Sequence, residues 1–424
     1  MAMLIKQTWR NELGGSGLPR KHRRSCDYEA YLPDFLTGRQ FVLDGQVSAD
    51  VAEAETAIAL LNANASALID TEALARILLR AEAVASSRIE GLEVGARRLL
   101  HAEVVRGLHQ APADVTAAEV LGNIDAMMFA IESVGQGDPI TVDLLREVHR
   151  RLLQGTRHAD LAGQIRTTQN WIGGSSYNPC SAAFVPPPPQ YVPDLMNDLC
   201  AFASSDELPA VAQAAIAHAQ FETIHPFADG NGRTGRALIH LVFRSRGLVM
   251  RVLPPVSLIL ATWVRSYLDG LTRFRYLGLP TSPEATDGIN DWIGSFAVAC
   301  RRAAADAASF EDRSTRLEEE WRERLGAIRA GSAADLLLRV LPGAPVLTVD
   351  AAAALIGRTF KPANEAIERL VAAGILRQIT IGRRNRAFEA PEVIAAFTAL
   401  ERQLASPDGD TRASAPVRIV PHRS

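Results

Sequence analysis

Apolar residues recur at three- and four-residue steps over most of the chain, which predicts a mostly helical protein. One stripe follows Asp70, a residue suited to the N-cap of a helix, and runs through Leu74, Ile77, Leu78, Ala81 and Val84. Gly91 predicts that this helix ends near Glu90, because glycine readily takes the left-handed conformation that closes helices. Similar stripes predict helices at 115–135, 140–154, 193–204, 209–224 and 234–246.

Residues 163–193 break the helical pattern. The segment GQIRTTQNWIGG holds β-type residues and paired glycines, and four prolines follow at 186–189. We expect an extended β-hairpin or flap here, followed by a rigid polyproline turn.

The C-terminal third predicts a long helix and a separate small domain. Residues 297–329 are polar and dense in Glu and Arg, as in a linker helix whose charges pair along exposed faces. Two short helical patterns at 333–340 and 349–356 precede a longer one at 361–373, and the strand-like RQITI and RAFEA flank GRRN. Helix, helix, helix and hairpin is the order of a winged helix.

Five segments are therefore expected. They are an N-terminal helical region at 1–110, a helical core at 111–300, a linker helix at 301–331, a winged-helix domain at 332–402 and a tail at 403–424. The tail is rich in Ser, Pro, Gly and Asp and is predicted to be disordered.

Composition excludes some classes of protein. The 424 residues include 45 Lys+Arg against 48 Asp+Glu, and the net charge of −3 excludes a uniformly basic nucleic-acid binder but not a local basic patch. The basic cluster at 20–24 is expected to be a solvated arm. The longest apolar stretch, 252–264, contains two prolines and is shorter than the roughly 20 residues that span a bilayer, so no membrane role is predicted.

The four cysteines stand at Cys26, Cys180, Cys200 and Cys300. None forms a CxxC pair, and no neighbouring histidine pattern suggests a zinc site. At this density we expect no disulfide framework, and therefore a reducing cytoplasm.

The segment HPFADGNGRTGR, at 225–236, carries the clearest chemistry. Gly230 and Gly232 let backbone N–H groups approach an anion, and the start of a helix favours phosphate at the same place. Asp229 offers an oxygen ligand for Mg²⁺, and Arg233 and Arg236 lie three residues apart, so both can face one anion. His225 can accept a proton near neutral pH. This combination predicts nucleotide chemistry.

The same twelve residues resemble the Fic family signature, His-x-Phe-x-Asp/Glu-Gly-Asn-Gly-Arg-x-x-Arg, at every fixed position. AHAQFETIHPF also resembles the helix before the family motif, and GQIRTTQNWIGG…FVPPPP resembles its substrate flap. The resemblance covers most of 30–280 and implies an all-α Fic fold with a β-hairpin flap. It further implies transfer of AMP from ATP to a Tyr, Ser or Thr hydroxyl of a protein.

The resemblance also assigns roles to individual residues. It makes His225 the general base, places Mg²⁺ (or Mn²⁺) on Asp229 and packs Phe227 beneath the loop. It assigns nucleotide binding to Gly230, Asn231, Gly232, Arg233, Thr234, Gly235 and Arg236, and it assigns Tyr267 to an aromatic position of the adenine pocket. The flap, at 163–190, would hold an extended target segment along its edge.

An internal brake is implied by a second, shorter motif. Ser86, Glu90 and Gly91 match the family's inhibitory pattern, Ser/Thr-x-x-x-Glu-Gly/Asn. In that mapping Glu90 pairs with Arg236 and keeps the γ-phosphate from its place, while Ser86 orients Glu90 from one turn before. In some family members the same glutamate supports removal of AMP, so a reversible enzyme is included in the prediction.

Three alternatives stay open. Residues 358–386 carry seven basic and two acidic residues, which suits either DNA contact or a docking module. If this segment binds DNA, the chain would be a DNA-binding regulator whose core senses nucleotide. The presence of His225 favours an enzyme instead, because sensing needs no general base. An enzyme of this kind can also transfer UMP, phosphocholine or a γ-phosphate. The expected partners are an unidentified target protein, the chain itself as a target, DNA, and a second copy in a homodimer.

Overall fold

The chain is mostly helical, as the apolar periodicity predicts. The computed structural model describes residues 1–10, 25–67, 71–381 and 385–403. The helices of this part are α1 Gly45–Ala67, α2 Thr71–Ile89, α3 Ala96–Gly107, α4 Val115–Glu132, α5 Val142–Leu153, α6 Val192–Ala203, α7 Ala210–Ile224, α8 Asn231–Ser245, α9 Val256–Thr262, α10 Val264–Phe274, α11 Pro283–Leu325, α12 Ala333–Val340, α13 Val349–Leu355, α14 Phe360–Ala372 and α15 Pro391–Gln403. The strands are β1 Met3–Trp9, β2 Cys26–Leu32, β3 Val346–Leu347, β4 Arg377–Ile381 and β5 Asn385–Glu389.

Predicted and observed helices agree best where the apolar stripe is regular, as in α5 and α6. Two starts differ from the prediction. Helix α8 begins at Asn231, three residues early, because Gly230 takes a φ of 75° and turns the chain into the helix. Helix α11 begins at Pro283, well before position 297. The predicted Asp70 cap, the basic cluster at 20–24 and almost all of the tail lie outside the described residues.

The chain forms two compact units. The first consists of Met1–Glu53, Phe129–Gly247 and Arg265–Val298. The second consists of Ala54–Met128, Leu248–Val264 and Ala299–Ser424. Helices α7 and α8 therefore belong to the first unit, and α2 belongs to the second.

A two-stranded antiparallel sheet in the first unit was not predicted. Strands β1 and β2 pair from Met3 opposite Leu32 to Trp9 opposite Cys26. Their side chains alternate between half-buried and exposed positions over most of their length, which is typical of strands with one covered face. The predicted N-terminal helical region thus begins with a hairpin.

The core of the first unit is built around α7. Every residue of this alanine-rich helix is buried, and the next helix, α8, is buried over nearly its whole length. A helix that is covered on all sides shows no single apolar stripe, so its small side chains allow close packing instead. The Trp292 indole N–H donates to the Ala215 carbonyl at 2.8 Å and joins α11 to this helix.

The two arms of the segment 163–190 contact each other without forming regular strands. Ile172 and Phe184 form an isolated antiparallel bridge, in which the Ile172 N–H donates to the Phe184 carbonyl at 2.8 Å. A short 3₁₀ turn, Pro179–Ser181, lies between the two arms. The expected extended arms are present, but within the described residues they form this single bridge rather than a β-ladder.

The expectation that the cysteines remain unpaired is wrong for two of them. Cys26 and Cys180 form a disulfide across a sequence separation of 154 residues, whereas Cys200 and Cys300 are buried thiols. Spacing along the chain gives no sign of this pairing, because the fold brings β2 beside the 3₁₀ turn of the flap. The prediction of a reducing compartment rested on unpaired cysteines and loses that support.

In the second unit, polar side chains buried on α1 and α2 tie the first helices to later segments. The Glu82 carboxylate is fully buried and accepts from the Ser257 backbone N–H at 2.7 Å, at the start of α9. The Asn62 amide donates to the Val252 carbonyl at 2.9 Å. These bonds satisfy groups that would otherwise be costly to bury.

The last part of the second unit follows the predicted order, with one strand added. Helix α12 is followed by β3, α13, α14 and the pair β4–β5, and the sheet order is β3-β5-β4. Glu389 on β5 is almost fully buried and accepts from Arg97 at 2.7 Å and from Arg377. These arginines, together with His101, hold the pKa of the Glu389 carboxyl below its usual value against the opposing effect of burial. Within the described residues, no helix has the length and apolarity needed to cross a membrane.

Candidate active site

The loop between α7 and α8 holds the chemically informative segment. Helix α7 must end at Ile224, because Pro226 disfavours a right-handed helical conformation at the residue before it. His225 instead takes left-handed angles, φ 50° and ψ 60°. A non-glycine residue pays about 1–2 kcal/mol for that conformation, so the surrounding structure must hold it there.

The loop is closed by the side chain of Asn231. Its Oδ1 accepts from the Phe227 N–H at 2.8 Å, and its Nδ2 donates to the Phe227 carbonyl at 2.8 Å. Asn231 is itself 3% exposed. Its amide therefore shapes the loop from within, while its backbone N–H belongs to the first turn of α8.

Gly230 serves two purposes at the start of α8. Its φ of 75° favours glycine, and an added Cβ would stand only 3.0 Å from Leu152 Cδ2 and 3.3 Å from the His149 ring. The N–H groups of the first helical turn, from Asn231 onward, have no acceptor inside the helix. They and the helix dipole favour an anion at this end.

Two buried arginines follow on the same helix. Arg233 is 5% exposed and Arg236 is 1% exposed. Arg233 lies 4.0 Å from the Asp229 carboxylate, whose side chain is 45% exposed. Two guanidinium groups and a helix N-terminus thus lie close together, a combination that favours an anion.

Thr234 and Gly235 contribute to the hydrogen bonding and packing of helix α8 and not to its N-terminal end, which favours an anion. The Thr234 hydroxyl donates to the Gly230 carbonyl at 3.0 Å. A Cβ at Gly235 would lie 2.5 Å from Glu222 Oε1 and 2.9 Å from Phe221, so only glycine allows α7 and α8 to approach this closely. The predicted motif residues of 225–236 are thus brought together around one loop and one helix start.

Tyr267 lies behind α8, in the core. Its hydroxyl donates to His218 Nε2 at 2.9 Å, and His218 Nδ1–H donates to the Gly235 carbonyl at 2.9 Å. Burial lowers the pKa of His218 to about 3, so this ring is neutral. The structure therefore connects Tyr267 to the α8 backbone through His218.

His149 on α5 is a site residue that the sequence did not single out. Its ring stacks on Phe227 with centroids 3.8 Å apart. The Gly163 N–H donates to Nδ1 at 2.9 Å, so Nε2 carries the proton and donates to the Asp229 carbonyl at 2.9 Å. Burial lowers the pKa of His149 to about 4. One neutral imidazole thus joins α5, the start of the flap and the motif loop.

The residues of the shorter motif lie at the end of α2, in the second unit. Ser86 is fully buried, Glu90 is exposed, and Gly91 takes a φ of 82°. The Gly91 N–H donates to the Arg88 carbonyl at 2.9 Å and closes the helix, as predicted. The Asn123 amide donates to the Ser87 hydroxyl at 3.1 Å and fixes this turn from α4.

The fold and the loop define a helical protein in which a helix N-terminus that favours an anion lies beside two buried arginines. Two family models match the chain, Fic/DOC family over residues 139–243 and Fic/DOC family N-terminal over residues 48–132. The chain carries a Fic/DOC domain preceded by the family's N-terminal segment, which confirms the resemblance of the twelve-residue motif.

Relatives with assigned names share the central part of the chain. Protein adenylyltransferase fic-1 of Caenorhabditis elegans is 35% identical over 141 residues, which are 32% of this chain and 26% of that protein. Protein adenylyltransferase Fic of Aedes aegypti is 36% identical over 145 residues, again 26% of that protein. The chain thus spans about a quarter of the length of these relatives.

A solved structure shares the fold. A Fic family protein from Desulfovibrio desulfuricans G20 superposes with a TM-score of 0.50 at 20% identity. The match covers 82% of this chain and 97% of the other. This likeness shows a common helical fold.

The pKa of His149 predicts a loss of stability in acid. Folding lowers the pKa from 6.5 to about 4, so the unfolded chain binds the proton first as the pH falls between these values. A His149→Gln variant keeps a donor and an acceptor but does not titrate. We expect its loss of unfolding free energy between about pH 7 and about pH 4.5 to be smaller by roughly 2–3 kcal/mol in urea titrations. Identical pH dependence in the two proteins would contradict this account of His149.

Proposed function

We propose that this chain is an autoinhibited protein adenylyltransferase, which transfers AMP from ATP to a Tyr, Ser or Thr hydroxyl of a protein. The observation that carries the proposal is the pair of buried arginines, Arg233 and Arg236, beside the glycine-bounded start of α8. The names of the relatives over the same 141 to 145 residues support AMP as the transferred group.

His225 is the proposed general base. It removes the proton of the target hydroxyl, and the freed oxygen bonds to the α-phosphorus of ATP. The bond from that phosphorus to the bridging oxygen breaks, and pyrophosphate leaves with the electron pair. The N–H groups of Gly230 to Gly232 and the two arginines stabilise the charge that this transfer spreads over the phosphates.

Asp229 is suited to hold Mg²⁺ or Mn²⁺ once ATP is bound. Within the described residues there is no cluster of three or more metal-ligating side chains. A single carboxylate, that of Asp229, fits magnesium, because proteins commonly bind this ion through one or two carboxylates together with substrate phosphates. The Asp229 side chain is half-exposed and beside Arg233, where such phosphates would lie. When bound, the metal would neutralise phosphate charge.

Glu90 is the proposed brake. Its carboxylate, at the closed end of α2, would pair with Arg236 and exclude the γ-phosphate, so that ATP binds without an in-line α-phosphate. The buried Ser86 and the left-handed Gly91 fix the turn that carries Glu90. The same carboxylate would support removal of AMP in the reverse reaction.

The flap, at 163–190, is the proposed docking site for the target. Its extended arms offer backbone groups that can pair with an extended segment of a target protein. The chain itself is a proposed target, and a homodimer is proposed separately.

The C-terminal helices and strands α12 to β5 are proposed to form a winged helix. Their order and the sheet β3-β5-β4 support this assignment. Among the basic residues that the structure describes, which exclude Arg383 and Arg384, several are engaged internally: Arg377 binds Glu389, and Arg369 donates to the Leu325 and Ala327 carbonyls. That pairing favours a docking role over DNA binding. We therefore expect no shift of duplex DNA at low salt, and a salt-dependent shift would support the DNA-binding alternative.

Other transferred groups define the competing proposals. The Glu90→Gly protein, incubated separately with ATP, UTP and a phosphocholine nucleotide, should gain the mass of AMP and only with ATP, as read by intact mass spectrometry. A gain of UMP, phosphocholine or phosphate would replace AMP transfer by that reaction. Nucleotide binding with no added mass from any donor would support a sensing core.

A further inference from the structure

Arg166, on the first arm of the flap, is buried against the end of helix α7. Its side chain is surrounded by backbone carbonyls and is only 5% exposed. Nε donates to the His225 carbonyl at 2.8 Å, and one terminal nitrogen donates to the carbonyls of Pro187 at 2.6 Å and Ile224 at 3.2 Å. Burial lowers the pKa of Arg166 to about 10, which leaves it charged at neutral pH.

A positive charge at this place suits the end of α7. The last carbonyls of a helix have no N–H partner within it, and the helix dipole is negative there. Arg166 reaches two successive carbonyls, those of Ile224 and His225, with its side chain. Its own backbone N–H donates to the next one, Pro226, at 2.9 Å. Three consecutive carbonyls are therefore held by one flap residue.

One of these three carbonyls belongs to His225, the residue with left-handed backbone angles. The left-handed angles of His225, φ 50° and ψ 60°, differ from the extended conformation preferred before proline at both dihedrals, and a change at either dihedral would move the His225 carbonyl. Asn170 provides a second restraint, because its Nδ2 donates to the His225 carbonyl at 3.1 Å and to the Phe227 carbonyl at 3.0 Å. The flap thus supplies the donors that oppose the strain at His225.

We propose that Arg166 is a positioning residue for His225, which holds the left-handed turn and so aims the imidazole at the target hydroxyl. Asn170 assists through the same carbonyl. The proposal rests on the proposed role of His225 as general base. Arg166 would also connect the position of the base to the position of the flap, since the same guanidinium donates to the Pro187 carbonyl on the second arm of the flap.

The first test compares kinetics in the Glu90→Gly protein, with and without Arg166→Lys. Lysine keeps the charge but cannot form the planar fork that reaches Ile224 and His225 together. We expect kcat to fall by about 100-fold, with the KM for ATP within a factor of about two, because misplacement of a catalytic group by roughly 1 Å has that effect. Arg273→Lys, an exposed arginine paired with Asp291 at 2.7 Å, is the matched control and should change neither constant.

Outcomes that overturn the proposal are distinct from loss of folding. An unchanged kcat in a folded Arg166→Lys protein, or equal losses in kcat and ATP affinity, would show that Arg166 does not act on the base. If that variant does not fold, Asn170→Ala takes its place, with a smaller fall in kcat alone as the expected result. With His225 replaced by Ala, the residual rate should no longer respond to the change at Arg166 or Asn170, and an undiminished response would overturn the proposal.

A structural readout decides the proposal even if no AMP is transferred. In a crystal structure of the Arg166→Lys or Asn170→Ala protein, His225 should leave the left-handed region. A φ near 50° in both variants would overturn the positioning role while leaving the proposed function untouched. Absence of transfer by the Glu90→Gly parent would instead defeat the proposed function and leave this test valid.

Discussion

Replacing Glu90 with glycine should raise the incorporation of label from α-³²P-ATP into the chain itself by roughly 5- to 150-fold, the range of free-energy coupling between sites in proteins. In the proposed brake, the Glu90 carboxylate would compete with the γ-phosphate for Arg236, and glycine would remove that competitor. Glu90 is exposed at the end of α2, so its loss should change stability by no more than about 0.5 kcal/mol. The gain would therefore reflect the site and not a general loosening of the fold.

Glu93→Gly is the matched control for this change. Glu93 is another exposed glutamate, three residues further on, in the segment between α2 and α3. Its replacement should leave labelling at the parental level. Equal labelling of the parent and the Glu90→Gly protein, or equal gains in both variants, would contradict a brake located at Glu90.

Replacing His225 with asparagine in the Glu90→Gly protein should reduce AMP transfer by about 100- to 10,000-fold, the usual contribution of general acid–base catalysis. Asparagine is informative here because it tolerates left-handed angles better than most residues and so preserves the turn. The loss can then be assigned to the missing base. Measured ATP affinity should stay within a factor of about three, since the proposed phosphate contacts are at α8.

The chain offers a close control for backbone strain. His109 is the other described non-glycine residue with a positive φ, 58°, and it is exposed. His109→Asn should leave the rate of transfer unchanged. A His225→Asn protein that retains full activity would show that the proton is taken by another group.

The sequence predicted most of the helices well and placed the motif residues in one loop, because both depend on neighbours along the chain. The stripe of α2 and the clustering of His225, Asp229 and Arg236 are visible without a structure. The sequence also predicted the buried helix α7. Its close approach to α8 depends on Gly235. The motif had assigned this glycine only to the phosphate site.

Residues whose partners are distant in the sequence were missed. His149 contacts Asp229, 80 residues later, and Arg166 contacts His225, 59 residues later. The Cys26–Cys180 disulfide spans 154 residues. Nothing in the local pattern of an amphipathic helix or a flap marks such side chains. His149 lies between Val148 and Arg150, and Arg166 lies between Ile165 and Thr167, so neither sequence context identifies a partner.

The most direct test of AMP transfer uses ATP labelled at one phosphorus at a time. The Glu90→Gly protein is incubated with Mg²⁺ and either α-³²P-ATP or γ-³²P-ATP, and protein-bound label is measured after denaturation. We expect stable label from the α-position, none from the γ-position, and loss of the α-label signal in the Glu90→Gly, His225→Asn protein. Label from the γ-position, or no label from either, would contradict the account.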